Sequence, residues 1–217
     1  MADFTVAGMD QQTYARQMQD YAQKTYDRSF EIVEWSFSRE GFNTGRNKQH
    51  TVLRDREMGF LVNVYAHQDN PMDFYDDYVS AYAAYLLRDT VDLSAVADLG
   101  NYSLSVSLEE EDASAPNTAP ENVSIIRLVV NIHAAPEEAH LEQLYRVYSD
   151  LAQAGYESVF FYVGFTKPDE TFQKYTQNFA WYGSKYWQDL DGTVYASLLI
   201  RSNELTYSQF KEKLETH

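Results

Sequence analysis

Between Asn101 and Glu110 the chain reads NYSLSVSLEE, and Tyr102, Leu104, Val106 and Leu108 occupy every second position. Side chains two apart on a strand share a face, so this run commits the backbone to a sheet with one apolar side and one polar side. The apolar side needs a cover, and the neighbouring sequence supplies helical patterns for it. SIIRLVVNIH, Ser124 to His133, is an apolar run suited to a central strand. PEEAHLEQLYRVYSDLAQAG, Pro136 to Gly155, reads as a helix. Pro136 opens it, Glu137 and Glu138 lie where the helix dipole favours acids, and Gly155 closes it. YESVFFYVGFT, from Tyr156, and GTVYASLLIR, Gly192 to Arg201, are further strands. TYSQFKEKLE is a terminal helix with Thr206 and Gln209 spaced for a capping box. A strand, helix, strand succession of this kind predicts a right-handed crossover onto one sheet.

The first third carries the same two periods. DQQTYARQMQDYAQKTY predicts a helix capped by Asp10, with Tyr14, Met18, Tyr21 and Thr25 on one stripe. RSFEIVEWSFS and MGFLVNVYAH, Met58 to His67, predict strands. Asn70 and Pro71 then predict a helix carrying Phe74, Tyr78 and Tyr82 on one face. The expected fold class is α+β, a mixed or antiparallel sheet packed against helices, in the order α-β-β-α then β-β-α-β-(α)-β-α. Two lobes are expected, an N-terminal α-β-β-α lobe over 1–98 and a C-terminal α/β sandwich lobe over 99–217. One continuous domain is the alternative, and the acidic segment from Glu109 to Asn122 suits either a linker or a long hairpin connection.

Charge narrows the partners. The chain has 33 Asp and Glu against 17 Lys and Arg in 217 residues, a formal charge of -16. Such a field repels a phosphate backbone or an anionic membrane, which argues against nucleic acid as a partner. There are no cysteines, so disulfides and thiol chemistry are excluded. No window approaches the roughly 20 apolar residues of a membrane span, so no membrane insertion is expected.

Three groups of residues are candidates for chemistry or binding. The first is the basic stretch from Arg39 to Gly59. Its glycines Gly41 and Gly45 are too close for a phosphate-binding loop, and the stretch reads mainly as a polar hairpin extension. Arg46, Lys48 and Arg54 are its candidates for docking a partner or a small anion. The second is HAAPEEAH, in which His133, Glu137 and His140 carry donors suited to zinc. Glu137 is equally explained by the helix start. The third is FQKYTQNFAWYGSKYWQDLDG, where Phe179, Trp181, Tyr182, Tyr186 and Trp187 form an aromatic array fit either for core packing or for stacking on a partner. No Gly-x-Ser-x-Gly elbow occurs, and Asp76 and Asp77, adjacent on an expected helix, diverge by about 100 degrees.

YAQKTYDRSFEIVEWSF and FLVNVYAHQDNPMDFYDDYVSAYAAYLLRD, with Asp76, Asp77 and Tyr78, resemble small uncharacterised domains from exported or lipid-anchored proteins of Gram-positive bacteria. The resemblance covers about 90 residues and implies the extracellular or envelope face of the cell if an export signal has been removed; the alternative is cytoplasmic. It carries no activity and no cofactor. The expected function is a non-catalytic soluble envelope module that binds a protein or a cell-wall polymer. The alternatives are an acidic intracellular inhibitor or toxin-immunity protein, and a metal-assisted hydrolase built on His133, Glu137 and His140.

Overall fold

The structure, a computed structural model, describes residues 5–37, 49–67, 69–167 and 194–217. The chain is an α+β protein made of two compact units, Met1–Tyr82 and Ala83–His217. The division falls inside one helix, where the sequence places a boundary after residue 98. Among the described residues no helix is long and apolar enough to cross a membrane.

The first unit opens with a short hairpin, β1 (Thr5–Val6) and β2 (Met9–Asp10), and then α1 (Gln11–Tyr26). Asp10 caps α1 by accepting from the Thr13 amide at 2.9 Å. The buried stripe is Tyr14, Ala15, Met18 and Ala22. Thr25, expected on that stripe, is exposed, because four-residue steps from Tyr14 reach Ala22 rather than Thr25. An antiparallel sheet follows in the order β3 (Phe30–Ser36), β4 (His50–Asp55), β5 (Leu61–Ala66), β6 (Phe74–Asp76). The strand β4 is a correction to the reading of this stretch as a polar extension. Thr51, Val52, Leu53 and Asp55 are buried, and the charged residues around them mask a strand that pairs on both sides.

The helix expected from Asn70 begins eight residues later, as α2 (Tyr78–Leu87). Asn70 instead turns the chain, its side chain accepting from Met72 N and its carbonyl from Asp73 N. Phe74, Tyr75 and Asp76 are then claimed by the open edge of β5. Asp76 finally accepts from the Tyr78 amide at 2.8 Å and so serves the start of α2. Local capping signals at two places compete here, and the sheet edge decides between them.

The second unit contains α3 (Ser94–Ala97), β7 (Asn101–Leu108), a 3-10 turn (Pro120–Asn122), β8 (Val123–Ile132), α4 (Glu138–Gln153), β9 (Ser158–Thr166), β10 (Val194–Arg201), α5 (Tyr207–Glu212) and β11 (Leu214–Thr216). The sheet order is β11-β10-β9-β8-β7; only the β8–β9 pair is parallel, and α4 connects those two strands. The 109–122 segment is a hairpin connection rather than a linker. It is tied by Asn122, whose side chain bonds Glu110 N, Glu110 O and Asn117 O. The capping box of Thr206 and Gln209 forms as the spacing predicts. The terminal helix is shorter than expected, since Leu214–Thr216 leaves it to pair with the free edge of β10.

The core of this unit lies on one face of the sheet. Leu104 and Val106, then Ile126, Leu128, Val130 and Ile132, then Phe161, Val163 and Phe165, then Ala196, Leu198 and Ile200 meet Leu144, Val147, Tyr148 and Leu151 of α4 and Phe210 of α5. Each such side chain contributes about 1.5–3 kcal/mol when fully buried, so this face holds the unit together.

Candidate functional site

Alternation forces the intervening residues onto the second face of the same sheet. The strand register lines them up in rows. One row runs Ser105, Arg127, Phe160, Arg201; the next runs Ser103, Val129, Tyr162, Leu199; the third runs Asn101, Asn131, Gly164, Ser197. Arg201 is exposed, and Arg127 and Phe160 are half-buried. Further along the strands the face becomes interior: Val129, Tyr162, Asn131, Ser197 and Thr166 are each at most 3% exposed.

At the outer end, the Cζ atoms of Arg127 and Arg201 each lie 5.5 Å from the Phe160 ring centroid. A guanidinium held flat on an aromatic ring keeps its N–H edge free. Arg201 Nε donates to Tyr162 Oη at 2.8 Å. Among the described residues no carboxylate pairs with either arginine; the ion pairs there involve Arg28, Arg54 and Lys211. In a chain with twice as many acids as bases, two arginines sharing one ring and no carboxylate make a local positive site.

At the inner end, Thr166 Oγ1 donates to Asn131 Oδ1 at 3.0 Å and lies 3.3 Å from His133 Nδ1. Asn131 Nδ2 and His133 Nε2 are buried without a partner, as is Ser105 Oγ in the first row. The single Thr166 proton goes to Asn131, so Oγ1 accepts from His133 Nδ1–H and Nε2 carries a lone pair. The site therefore offers one unpaired donor, the Asn131 amide, and one unpaired acceptor, His133 Nε2. Turning the Asn131 amide over exchanges the two roles and still leaves one donor and one acceptor. Leaving a buried polar group unpaired costs about 1–3 kcal/mol, so three on one sheet face require an explanation. Gly100 belongs to this end too, because a Cβ there would come within 2.1 Å of the Asn131 carbonyl oxygen.

The zinc candidates separate. His133 contacts Thr166, whereas His140 lies against Phe165, its ring centroid 6.3 Å away. Thr166 and Phe165 are consecutive on β9 and face opposite sides of the sheet, so the two imidazoles approach from different layers. Glu137 is exposed at the N-cap of α4. Among the described residues no three His, Cys, Asp or Glu side chains come together as a metal-ligating group. Ser197 Oγ and His217 Nε2 lie 2.8 Å apart. That contact spans the β10–β11 edge, and among the described residues no carboxylate orients the imidazole as nucleophilic catalysis would require.

The other sequence candidates divide in two. Arg46 and Lys48, and the aromatic array Phe179, Trp181, Tyr182, Tyr186 and Trp187, lie outside the described residues. Arg54 sits on β4 and pairs with Glu31 across the β3–β4 ladder at 2.9 Å, which explains it without a ligand. The adjacent acids Asp76 and Asp77 do not act together. Asp76 accepts from the Tyr21 and Tyr26 hydroxyls at 2.9 and 2.6 Å, and Asp77 from the Asn63 amide groups at 2.7 Å. Burial, reinforced by Asp76, pushes Tyr21 up to about 12, and both tyrosines remain neutral donors.

The sequence contained a signal for the second face. Arg127, Asn131 and His133 in SIIRLVVNIH, and Ser103, Ser105 and Ser107 in NYSLSVSL, sit on the positions left over by the apolar alternation. Read as a pattern of their own, they put hydroxyls, an amide, an imidazole and a guanidinium on a single face.

No family model matches the sequence, and no curated protein matches it either. Among solved structures, a DUF5037 family protein from Ruminococcus gnavus ATCC 29149 aligns with 92% of this chain and 98% of its own length, with a TM-score of 0.49 and 13% sequence identity.

Proposed function

We propose that this chain is a non-catalytic soluble module, acting at the cell envelope, that binds a protein or a cell-wall polymer along the second face of its C-terminal sheet. The observation that carries this reading is the set of three buried, unpartnered polar atoms on that face: Ser105 Oγ, Asn131 Nδ2 and His133 Nε2. A folded core gains nothing from such atoms, whereas a ligand with matching groups recovers their cost on binding. The side chains there are suited to holding a ligand: guanidiniums, an amide, hydroxyls and flat rings.

The test is NMR on the full chain, labelled with nitrogen-15. It is titrated with soluble fragments of digested Gram-positive cell wall and, separately, with a peptide digest of envelope proteins. Shifts concentrated at Ser105, Asn131, His133 and Thr166, with the mass of the added ligand unchanged after long incubation, are expected. No shift at those residues with either mixture, or cleavage of the ligand, would overturn the reading. The formal charge of -16 favours a second reading, an acidic intracellular inhibitor of a basic protein. Binding to a cationic partner that weakens steeply with salt, and leaves the second face unperturbed, would favour that one.

A further inference from the structure

We infer that the ligand of this face is a short extended peptide with a free terminal carboxylate, held by Arg127 and Arg201 at one end and by Asn131 and His133 at the other. The inference rests on the reading of the second face as a binding site, and it names the ligand's chemistry.

The outer end fixes the charge. Arg127 uses none of its five donors on any described residue, and Arg201 uses only Nε, on Tyr162. Both guanidiniums lie against one ring, so their planes are fixed and their edges available. Planar forks of this kind match a carboxylate through paired, charge-assisted hydrogen bonds. The acidic charge of the rest of the chain disfavours large polyanions, which leaves a ligand with little charge beyond one terminal group.

The inner end fixes the backbone. One unpaired donor and one unpaired acceptor, both anchored on the Thr166 hydroxyl, complement a peptide group, which carries one acceptor and one donor. Neither end alone would separate a peptide from a simple anion; the two together do.

Their separation fixes the length. Arg127 and Asn131 are four residues apart on β8, which is roughly 13 Å along a strand. An extended chain covers that distance in about four residues. Between the ends lie Val129, Tyr162 and Leu199, which suit an uncharged middle.

The probe is acetyl-tetra-alanine with a free carboxylate, compared with its C-terminal amide and with inorganic phosphate. A version ending in two D-alanines separates a cell-wall source from a protein C-terminus. Side-chain nitrogen-15 spectra of the full chain report on Arg127, Arg201 and Asn131 individually. The acid form, in one of its two stereochemistries, should shift all three with a dissociation constant on the order of 1–10 mM. The amide should bind about tenfold more weakly, and so should the chain carrying Arg127→Ala or Arg201→Ala. Arg127→Lys keeps the charge but loses the fork and should fall between, and unchanged melting temperatures would show that these variants fold. Equal binding of acid and amide, or full reproduction of the arginine shifts by phosphate, would overturn the inference. Equal binding that still shifts Asn131 would leave the face as a binding site, whereas silence of every probe at all three residues would overturn the inference itself. The envelope-derived mixtures then decide the broader reading separately.

Discussion

Replacing Asp55 by alanine is expected to cost about 3–5 kcal/mol of folding stability, the largest loss predicted for any single side chain in the first unit. Asp55 is 1% exposed and lies at the end of β4, where the chain turns into β5. Its carboxylate accepts from the Arg28 guanidinium and from the Glu57 and Met58 amides at 2.9 and 2.8 Å. Burial pushes the carboxyl up, but Arg28 and the two turn amides together outweigh it, and the net shift is downward. Removing it leaves a largely buried guanidinium and two turn amides without their acceptor. The exposed pair in the same sheet, Arg54 with Glu31, has side chains 48% and 42% exposed. Deleting that pair should cost no more than about 1 kcal/mol, because solvent screens it. Urea unfolding of Asp55→Ala and Glu31→Ala compares the two directly. A loss below about 1 kcal/mol for Asp55→Ala would remove the carboxylate from its assigned role. Because its folded value is depressed, its contribution is present above the unfolded value of 3.8 and is lost as pH falls below that.

Asp77 behaves in the opposite sense. Enclosure by protein, opposed by two hydrogen bonds from Asn63 and reinforced by the nearby Asp76, pushes its carboxyl up to about 6. The folded state then holds a proton that the unfolded chain has released. Its stabilising contribution is complete below pH 3.8 and is lost as pH rises through about 6, a change of about 3 kcal/mol. Asp77→Asn removes the buried charge and keeps an acceptor for the Asn63 amide, while Asn63 can turn over to accept from the new side chain. The variant should be about 1–3 kcal/mol more stable than the parent at pH 7 and show a flatter profile between pH 4 and 6. Unfolding midpoints across that range check it. A variant less stable at pH 7 with the parent's slope intact would show that the carboxylate is wanted in its charged form.

These two residues also show what was legible in the sequence. Asp76 and Asp77 read as neighbours on one helix, yet β5 takes Phe74–Asp76 as a fourth strand and pushes the helix start to Tyr78. A sheet edge three residues long has no period of its own to detect. The strand β4 was hidden because His50, Arg54 and Arg56 dilute an apolar run of only Val52 and Leu53. Thr51 and Asp55 count as polar in any pattern, though both are buried through specific bonds, Thr51 to Met18 and Asp55 to Arg28. The second unit was legible because its strands are long and their alternation is clean; the helix α4, the hairpin connection and the capping box all appear where spacing put them.

The site was legible only in part, for a physical reason. Single residues were judged by familiar signatures, which favoured the histidines of HAAPEEAH and the basic stretch. What assembles the second face is register: Arg127, Phe160 and Arg201 meet because three strands align them. Spacing within one segment carries no information about pairing between segments that lie more than 30 residues apart.

The central claim is that this face keeps polar atoms for a ligand, and a crystal structure of the full chain soaked with the tetrapeptide acid tests it most directly. The account predicts density that does not belong to the chain within about 3 Å of Ser105 Oγ, Asn131 Nδ2 and His133 Nε2, continuous toward Arg127 and Arg201. Donors and acceptors from the chain itself occupying all three atoms, with the arginines turned to carboxylates of the same chain, would contradict it.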